Sequence, residues 1–416
     1  MKKIDEIKAQ LSTLVDEAYE CGAADKAAEC EQILESELKA SYDKGKADGI
    51  KEALESIPTN PEVVEPEPQP TPEPEPEPEI VPEFSIENPW ISRFMADPSY
   101  DAPDFLYGDG MSVVDNYLAD AVESGHRQSP TEQPASIPFM FDQLTDADGH
   151  EVEAIDGIYN LVPGCEYSYY RHVADSGEVL QGKFRTKPNT VRMIRTADDG
   201  RIFNIRDLGG YKCEGGHVAY GKLLRSAWIP LDLTADSTNI RLLKSLGVTR
   251  EISFSSTFAA RKALGWKANT YSGVKSYTTI LTNTSGILST FNAILAEAQA
   301  GGCSLMHCHT GADRTGSVSA LLLALLGVSE ADIIKEWETT CFSAMFYRRR
   351  ISDWQTRAED RKECPEGQLR QLFVKMRSIY GTKGETLQQQ VYAFLTTKVG
   401  LSSAKITALK QAFIVP

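Results

Sequence analysis

The chain has 416 residues, a formal net charge of −16, 41% hydrophobic residues and a pI near 5.0. That length supports two or three domains with a sizeable core, and the acidity argues against nucleic acid as a partner. The eight cysteines are scattered, with no paired spacing and no Cys-x2-Cys. They predict neither a disulfide framework nor a zinc site, and no metal or cofactor is expected; reduced thiols fit a cytoplasmic setting.

The charge is unevenly spread. Residues 1–83 carry 8 lysines against 22 acidic residues, a balance of −14 that leaves the remainder nearly neutral. The opening MKKIDEIKAQL is charged and amphipathic, with no apolar leader core, and no later stretch approaches a transmembrane span, so no stable membrane insertion is expected. Residues 1–57 are helix-forming. Ile4, Ile7, Leu11, Leu14, Ala18 and Cys21 recur in steps of three and four, a seam that suits either an oligomerising coil through residues 1–56 or a solvated amphipathic helix. Residues 58–83 are a Pro-Glu repeat that cannot bury a core; they predict an extended, self-repelling spacer.

Residues 84–188 predict an all-β domain. Asp146–Gly149 reads as a turn, and Leu161-Val162-Pro163-Gly164-Cys165-Glu166-Tyr167 leads into an alternating stretch through Tyr169 and His172. Asp175-Ser176-Gly177 then turns the chain back towards Val179, Phe184 and Thr186. The LxPGxxY pattern resembles the later strands of a fibronectin type III-like sandwich, with Tyr167 as the corner tyrosine. MSVVDNYLADAV, at 111–122, also suits a helix.

In residues 189–416, strands alternate with helices, which predicts a mostly parallel sheet flanked by helices, with ligands at the strands' carboxyl ends. Helices are expected at Leu233–Leu246, Ile287–Ala300, Ser317–Leu326, Ala331–Phe346, Gln368–Tyr380, Leu387–Val399 and Ser403–Phe413, and strands at Val248–Phe254 and Cys303–Met306. Between Met306 and Ser317 lies a polar loop, HCHTGADRTG, in which Cys308 and Arg314 stand as Cys-x5-Arg. A strand–loop–helix of this kind turns loop N–H groups inward at a helix N-terminus, where an anion is favoured. A thiolate facing that terminus and a guanidinium is an activated nucleophile. A guanidinium in turn offers a planar fork to two phosphate oxygens. Gly311 lets the backbone approach the anion closely, and Thr315 brings a hydroxyl near the sulfur.

The loop resembles the signature HC-x2-G-x2-R-[ST]-G of the cysteine-dependent protein tyrosine phosphatases. It is most similar to a bacterial tyrosine/lipid phosphatase branch whose loop reads HC-x-AGKDRTG. Asn204-Ile205-Arg206-Asp207-Leu208-Gly209-Gly210 and Arg225-Ser226 are similar to two further motifs of that branch, so the resemblance spans about half the chain. It implies Cys308 as nucleophile, Arg314 as the oxyanion clamp, and His309, Thr310, Gly311, Ala312, Thr315 and Gly316 around the phosphate, with Arg206 and Asp207 binding or bracing. Ala312 stands where the branch has a lysine, which favours aryl phosphates over phosphoinositides; a phospholipid or dual-specificity substrate is the alternative. The insert at 342–380 matches the place of a helical lid, and Arg348, Arg349 and Arg350 are placed there to attract anions.

The pattern also breaks. Such phosphatases supply a general acid from a mobile loop, yet no aspartate lies between Asp236 and Asp313. Asp313 is therefore the first candidate acid, with Asp207 and then Asp353 behind it. Expected partners are phosphorylated proteins or phospholipids. A competing reading of another class is a catalytically weak phosphate-binding module in an oligomeric structural or display protein, which the retention of Cys308 and Arg314 disfavours.

Overall fold

The structure is a computed structural model that describes residues 81–101, 113–114, 116–117, 141–152, 160–172, 178–188, 191–197, 201–343, 365–382 and 385–416. All fall within a unit spanning Glu79–Pro416. The expected helical segment 1–57, nearly all of the spacer, and Arg348, Arg349, Arg350 and Asp353 of the insert lie outside the described residues.

Asn88-Pro89 is a helix start. The Asn88 side chain accepts hydrogen bonds from the N–H groups of Trp90 (3.1 Å) and Ile91 (3.0 Å), and Pro89 occupies the first helical position. The short helix α1 (Pro89–Met95) and the 3-10 turn Pro98–Asp101 follow β1 (Glu83–Phe84). Then come β2 (Gln143–Asp146), β3 (Glu166–His172) and β4 (Val179–Thr186). These strands form a four-stranded sheet in the order β1-β4-β3-β2, with the β1–β4 pair parallel and the others antiparallel. Its core is Ile86, Leu144, Leu161, Tyr167 and Phe184. Tyr167 and Phe184 stack at 5.5 Å, and the Tyr167 hydroxyl accepts the Val162 N–H at 2.8 Å. Burial pushes the Tyr167 phenol up to about 12.

The region 84–188 is not all-β. Ile91, Phe94 and Tyr100 are buried in the same core as the helices of the C-terminal half, apart from the core of the four-stranded sheet. The sequence carries the physical reason: an Asn-Pro cap followed by Ile91 and Phe94 three apart gives one apolar helical face, and that face needs another helix layer to bury it.

The C-terminal half contains β5 (Arg206–Asp207), β6 (Lys212–Cys213), β7 (Gly216–Val218), β8 (Leu223–Ser226), α2 (Thr238–Ser245), β9 (Val248–Ser253) and β10 (Lys267–Thr270). It continues with α3 (Ile287–Gln299), β11 (Cys303–His307), α4 (Arg314–Leu326), α5 (Glu330–Glu338), α6 (Pro365–Tyr380), α7 (Leu387–Phe394), α8 (Ser403–Phe413) and β12 (Ile414–Val415). The main sheet runs β10-β9-β11-β8-β5, parallel throughout except for the β5–β8 pair. β11 is central and buried along its whole length. Its side chains alternate between two cores, with Cys303 and Leu305 against Ile240 and Leu243 of α2, and Met306 among α3 and α4. A smaller sheet, β12-β7-β6, ties the C-terminus to β7.

Most expected elements are present, with shifted ends. α2 starts at Thr238 rather than Leu233, because Ser237 turns back to accept the Thr234 N–H at 2.9 Å. α5 stops at Glu338 and continues only as a 3-10 turn, Thr339–Phe342. No helix among the described residues is long and apolar enough to cross a membrane. Tyr167→Phe should cost about 1–2 kcal/mol of stability by leaving the Val162 N–H without its acceptor, read as a lowered urea midpoint with unchanged slope.

Candidate active site

β11 delivers Cys308 at its carboxyl end, and α4 begins at Arg314, three residues earlier than its apolar run implies. Arg314, Thr315 and Gly316 therefore form the first helical turn, and residues 308–313 make the loop between strand and helix. The loop is held from outside by its carbonyl groups. Trp228 N–H donates to His309 O (3.2 Å), Asn204 Nδ2 to Thr310 O (3.1 Å) and Trp337 Nε1 to Ala312 O (3.0 Å), while the Arg225 guanidinium donates to Gly311 O. In a planar trans peptide the N–H points opposite the C=O. Anchoring the carbonyls of 309, 310, 311 and 312 outward thus turns the N–H groups of 310 through 313 to the other side. The Ala312 N–H also makes a long 3.4 Å contact with the Thr310 hydroxyl.

Two glycines are required for this packing. Gly311 has φ +70°, and a Cβ there would lie 2.2 Å from Ser226 O. A Cβ on Gly316 would meet the Trp337 ring at 2.5 Å, so this glycine lets α5 close on the first turn of α4.

Beneath the loop is a fully buried charge network. Glu336 accepts from Arg206 Nε at 2.8 Å on one oxygen and from Arg225 at 2.6 Å on the other. Arg206 also donates to Asn204 Oδ1 (2.6 Å) and Glu336 O (2.9 Å). Burial pushes the Arg225 guanidinium down to about 10, which still leaves it charged at neutral pH. Asp207 is equally buried and bonds Arg192 (3.1 Å) and the N–H groups of Gly209 (2.9 Å) and Gly221 (2.8 Å). Neither Arg206 nor Asp207 has surface to offer a ligand. Their place is in the bracing of the fold, because each spends its polar atoms on protein partners.

The remaining expected residues cluster around the loop. Cys308, Thr310, Gly311, Ala312, Thr315 and Gly316 are buried, Asp313 and Arg314 are half-buried and His309 is exposed. The Thr315 hydroxyl is buried with no hydrogen-bond partner among the described residues. Arg314 donates to Phe254 O just past the end of β9. Asp313 Oδ1 accepts from the Tyr277 hydroxyl at 2.5 Å, and Tyr277 holds φ +50°, an unusual setting for a bulky side chain. His307 sets Nε2 at 2.9 Å from Glu251, whose other oxygen accepts from Arg261 N–H (2.9 Å) and Trp266 Nε1 (3.0 Å). Glu251 is thus a buried strand residue that anchors the histidine beside the cysteine. His309 stacks on Trp228 at 4.7 Å and packs against Phe258 at 5.2 Å, making an aromatic rim next to Cys308.

Residues 200–415 match the model of the tyrosine phosphatase family. The chain belongs to the tyrosine phosphatase family. The matched region is that of a phosphoric monoester hydrolase, and it contains the whole β11–loop–α4 unit. No curated protein matches the chain. Several residues of this phosphatase site carry little sequence signal. Asn204 and Arg225 sit inside motifs whose roles the pattern did not resolve. Glu336 and Trp337 are visible only as an acid and an indole on the apolar side of α5, and Tyr277, Trp228 and Phe258 have no local signature.

Gly311→Ala should fold yet lose phosphate binding, because the methyl displaces Ser226 O and reorients the peptide; calorimetric titration with inorganic phosphate checks this. Glu336→Ala leaves two buried guanidinium groups unpaired, and a loss of about 3–5 kcal/mol is expected in chemical denaturation.

Proposed function

We propose that residues 189–416 hydrolyse phosphomonoesters through a phosphocysteine intermediate, with aryl phosphates such as phosphotyrosine as the preferred class. The observation that carries this reading is the outward anchoring of four successive loop carbonyls, which turns N–H donors to the opposite face of a loop that starts at Cys308 and ends at Arg314. Cys308 Sγ attacks phosphorus in line, the bond to the leaving oxygen breaks, and that oxygen takes a proton from Asp313. Loop N–H groups and Arg314 stabilise the equatorial oxygens as charge shifts. Water then attacks phosphorus, returns a proton to Asp313 and releases phosphate, restoring the thiolate. The buried Thr315 hydroxyl, without a protein partner among the described residues, is the donor that suits the sulfur as leaving group.

Two features favour an aryl substrate. Ala312 supplies no cation for a further phosphate, and the Trp228–His309–Phe258 rim offers flat apolar surface beside the nucleophile. The Tyr277 hydroxyl donates to one oxygen of Asp313 and so holds the carboxyl group beside the phosphate loop. For residues 84–188 the fibronectin III-like reading is supported by the Tyr167 hydroxyl closing on the Val162 N–H five residues upstream. Domain limits at 84 and 189 are then best placed so that α1 stays with the catalytic half.

Cys308→Ser should abolish turnover of p-nitrophenyl phosphate while keeping oxyanion affinity; appreciable turnover in a contamination-controlled preparation sinks the mechanism. Arg314→Lys keeps charge but loses the fork, and kcat should fall by roughly two orders of magnitude. Asp313→Asn should slow alkyl phosphates far more than p-nitrophenyl phosphate, whose leaving group scarcely needs a proton; equal slowing assigns Asp313 to structure. Higher kcat/KM on phosphoinositides than on phosphotyrosyl peptides reverses the substrate assignment.

A further inference from the structure

We propose that the segment Pro89–Asp101, which precedes the family-matched region by about a hundred residues, is a positioning clamp for the phosphate loop, acting through Tyr100 and Lys335 on helix α5. The proposal rests on the reading of residues 308–314 as the oxyanion cradle.

α5 is gripped from two sides. Successive helical residues are turned by about 100°, so Lys335 and Glu338 share one face while Glu336 and Trp337 point elsewhere. Lys335 and Glu338 meet the N-terminal segment. The Lys335 ammonium, 4% exposed, donates to Met95 O (2.8 Å) and Asp97 O (2.5 Å) at the C-terminal end of α1, where a cation is favoured. It lies 5.4 Å from the centre of the Tyr100 ring. Tyr100 is fully buried and donates its hydroxyl to Glu338. Phe94 packs on Tyr100 and on Phe342, each at 5.7 Å, and so joins the clamp to the turn after α5.

Glu336 and Trp337 meet the loop. Trp337 donates to Ala312 O, and Glu336 holds Arg225, which donates to Gly311 O. The clamp therefore reaches two of the four outward anchors through one residue of helix. A buried ammonium and a buried carboxylate are costly to place, and each here takes a hydrogen-bond partner from the N-terminal segment. Ile91, Phe94 and Tyr100 share one buried core with Cys308, Val318 and Trp337, so a shift of the segment cannot be absorbed by loose packing between them. Small displacements of an oxyanion cradle weaken transition-state binding more than substrate binding.

The test uses the full chain with Tyr100→Phe, which removes a single hydroxyl, and Lys335→Gln, which keeps a donor for one carbonyl. Turnover of p-nitrophenyl phosphate per folded molecule and vanadate affinity by calorimetry are measured well below the unfolding midpoint. kcat should fall on the order of tenfold, with KM changing less than kcat and vanadate affinity falling alongside kcat. Adding Glu338→Gln to Tyr100→Phe should restore part of the loss by replacing the buried carboxylate with a neutral amide. A lowered unfolding midpoint with kcat per folded molecule and vanadate affinity both unchanged overturns the proposal. So does a folded chain starting at residue 189 with undiminished activity. If the parent chain binds vanadate but does not turn over, the catalytic reading fails while the vanadate series still decides the clamp.

Discussion

Everything in this phosphatase domain depends on one constraint: a loop of six residues must turn its amides to one side. Isolated, such a loop would satisfy its carbonyls with water in many conformations. Here an indole, a carboxamide, a guanidinium and a backbone amide, from Trp337, Asn204, Arg225 and Trp228, each capture one carbonyl. The resulting orientation of the peptides belongs to the loop, but its cause lies outside it. This is why Arg225, Asn204 and Trp337 matter although they offer nothing to a ligand. It also explains the charge arrangement below. Arg225 can serve the loop only if it stays charged where burial opposes the charge, and Glu336 provides the compensating carboxylate. Sharing that carboxylate with Arg206 links the motif at 204–210 to the same anchor.

The parts legible in the sequence are those governed by local rules. The strand into Cys308 showed as a short apolar run, α4 as an apolar helix ended by Gly327, and the loop between them by its residue spacing. The apolar run of α4 begins three residues after the helix does, because Arg314, Thr315 and Gly316 look polar. Their place in the first turn follows from packing, with Trp337 against Gly316. β10 carried no signal, since Lys267-Ala-Asn-Thr is a half-exposed strand at the edge of the sheet, paired among the described residues with β9.

What remained hidden is long-range pairing. No local pattern announces that Glu336 closes on Arg206 across 130 positions, or that Tyr100 reaches Glu338 across 238. The same limit produced the all-β reading of residues 84–188. Among the described residues of that stretch the alternating strands are conspicuous, while helix α1 near its start, capped by Asn88 with Pro89 in the first turn, buries its apolar face elsewhere. A domain boundary drawn from local pattern follows the change in secondary structure, whereas the physical boundary follows the core, and in this chain the two differ.

The position of Asp313 shows how the same packing bears on chemistry. It stands at the head of α4, where its side chain makes no cap to the helix, and its carbonyl accepts from the Ser317 hydroxyl at 2.8 Å. The carboxylate instead accepts from the Tyr277 hydroxyl, and the Tyr277 N–H donates to the Ser317 hydroxyl at 2.7 Å. One serine therefore orients both the acid and the tyrosine that bonds it. Tyr277 keeps a backbone conformation that bulky residues seldom adopt, which is sustained only where surrounding contacts fix it. The edge-on Trp337 ring at 6.2 Å is one of those contacts. Trp337 thus serves a loop carbonyl on one side and packs on the partner of Asp313 on the other, so one buried indole bears on both the cradle and the candidate proton donor.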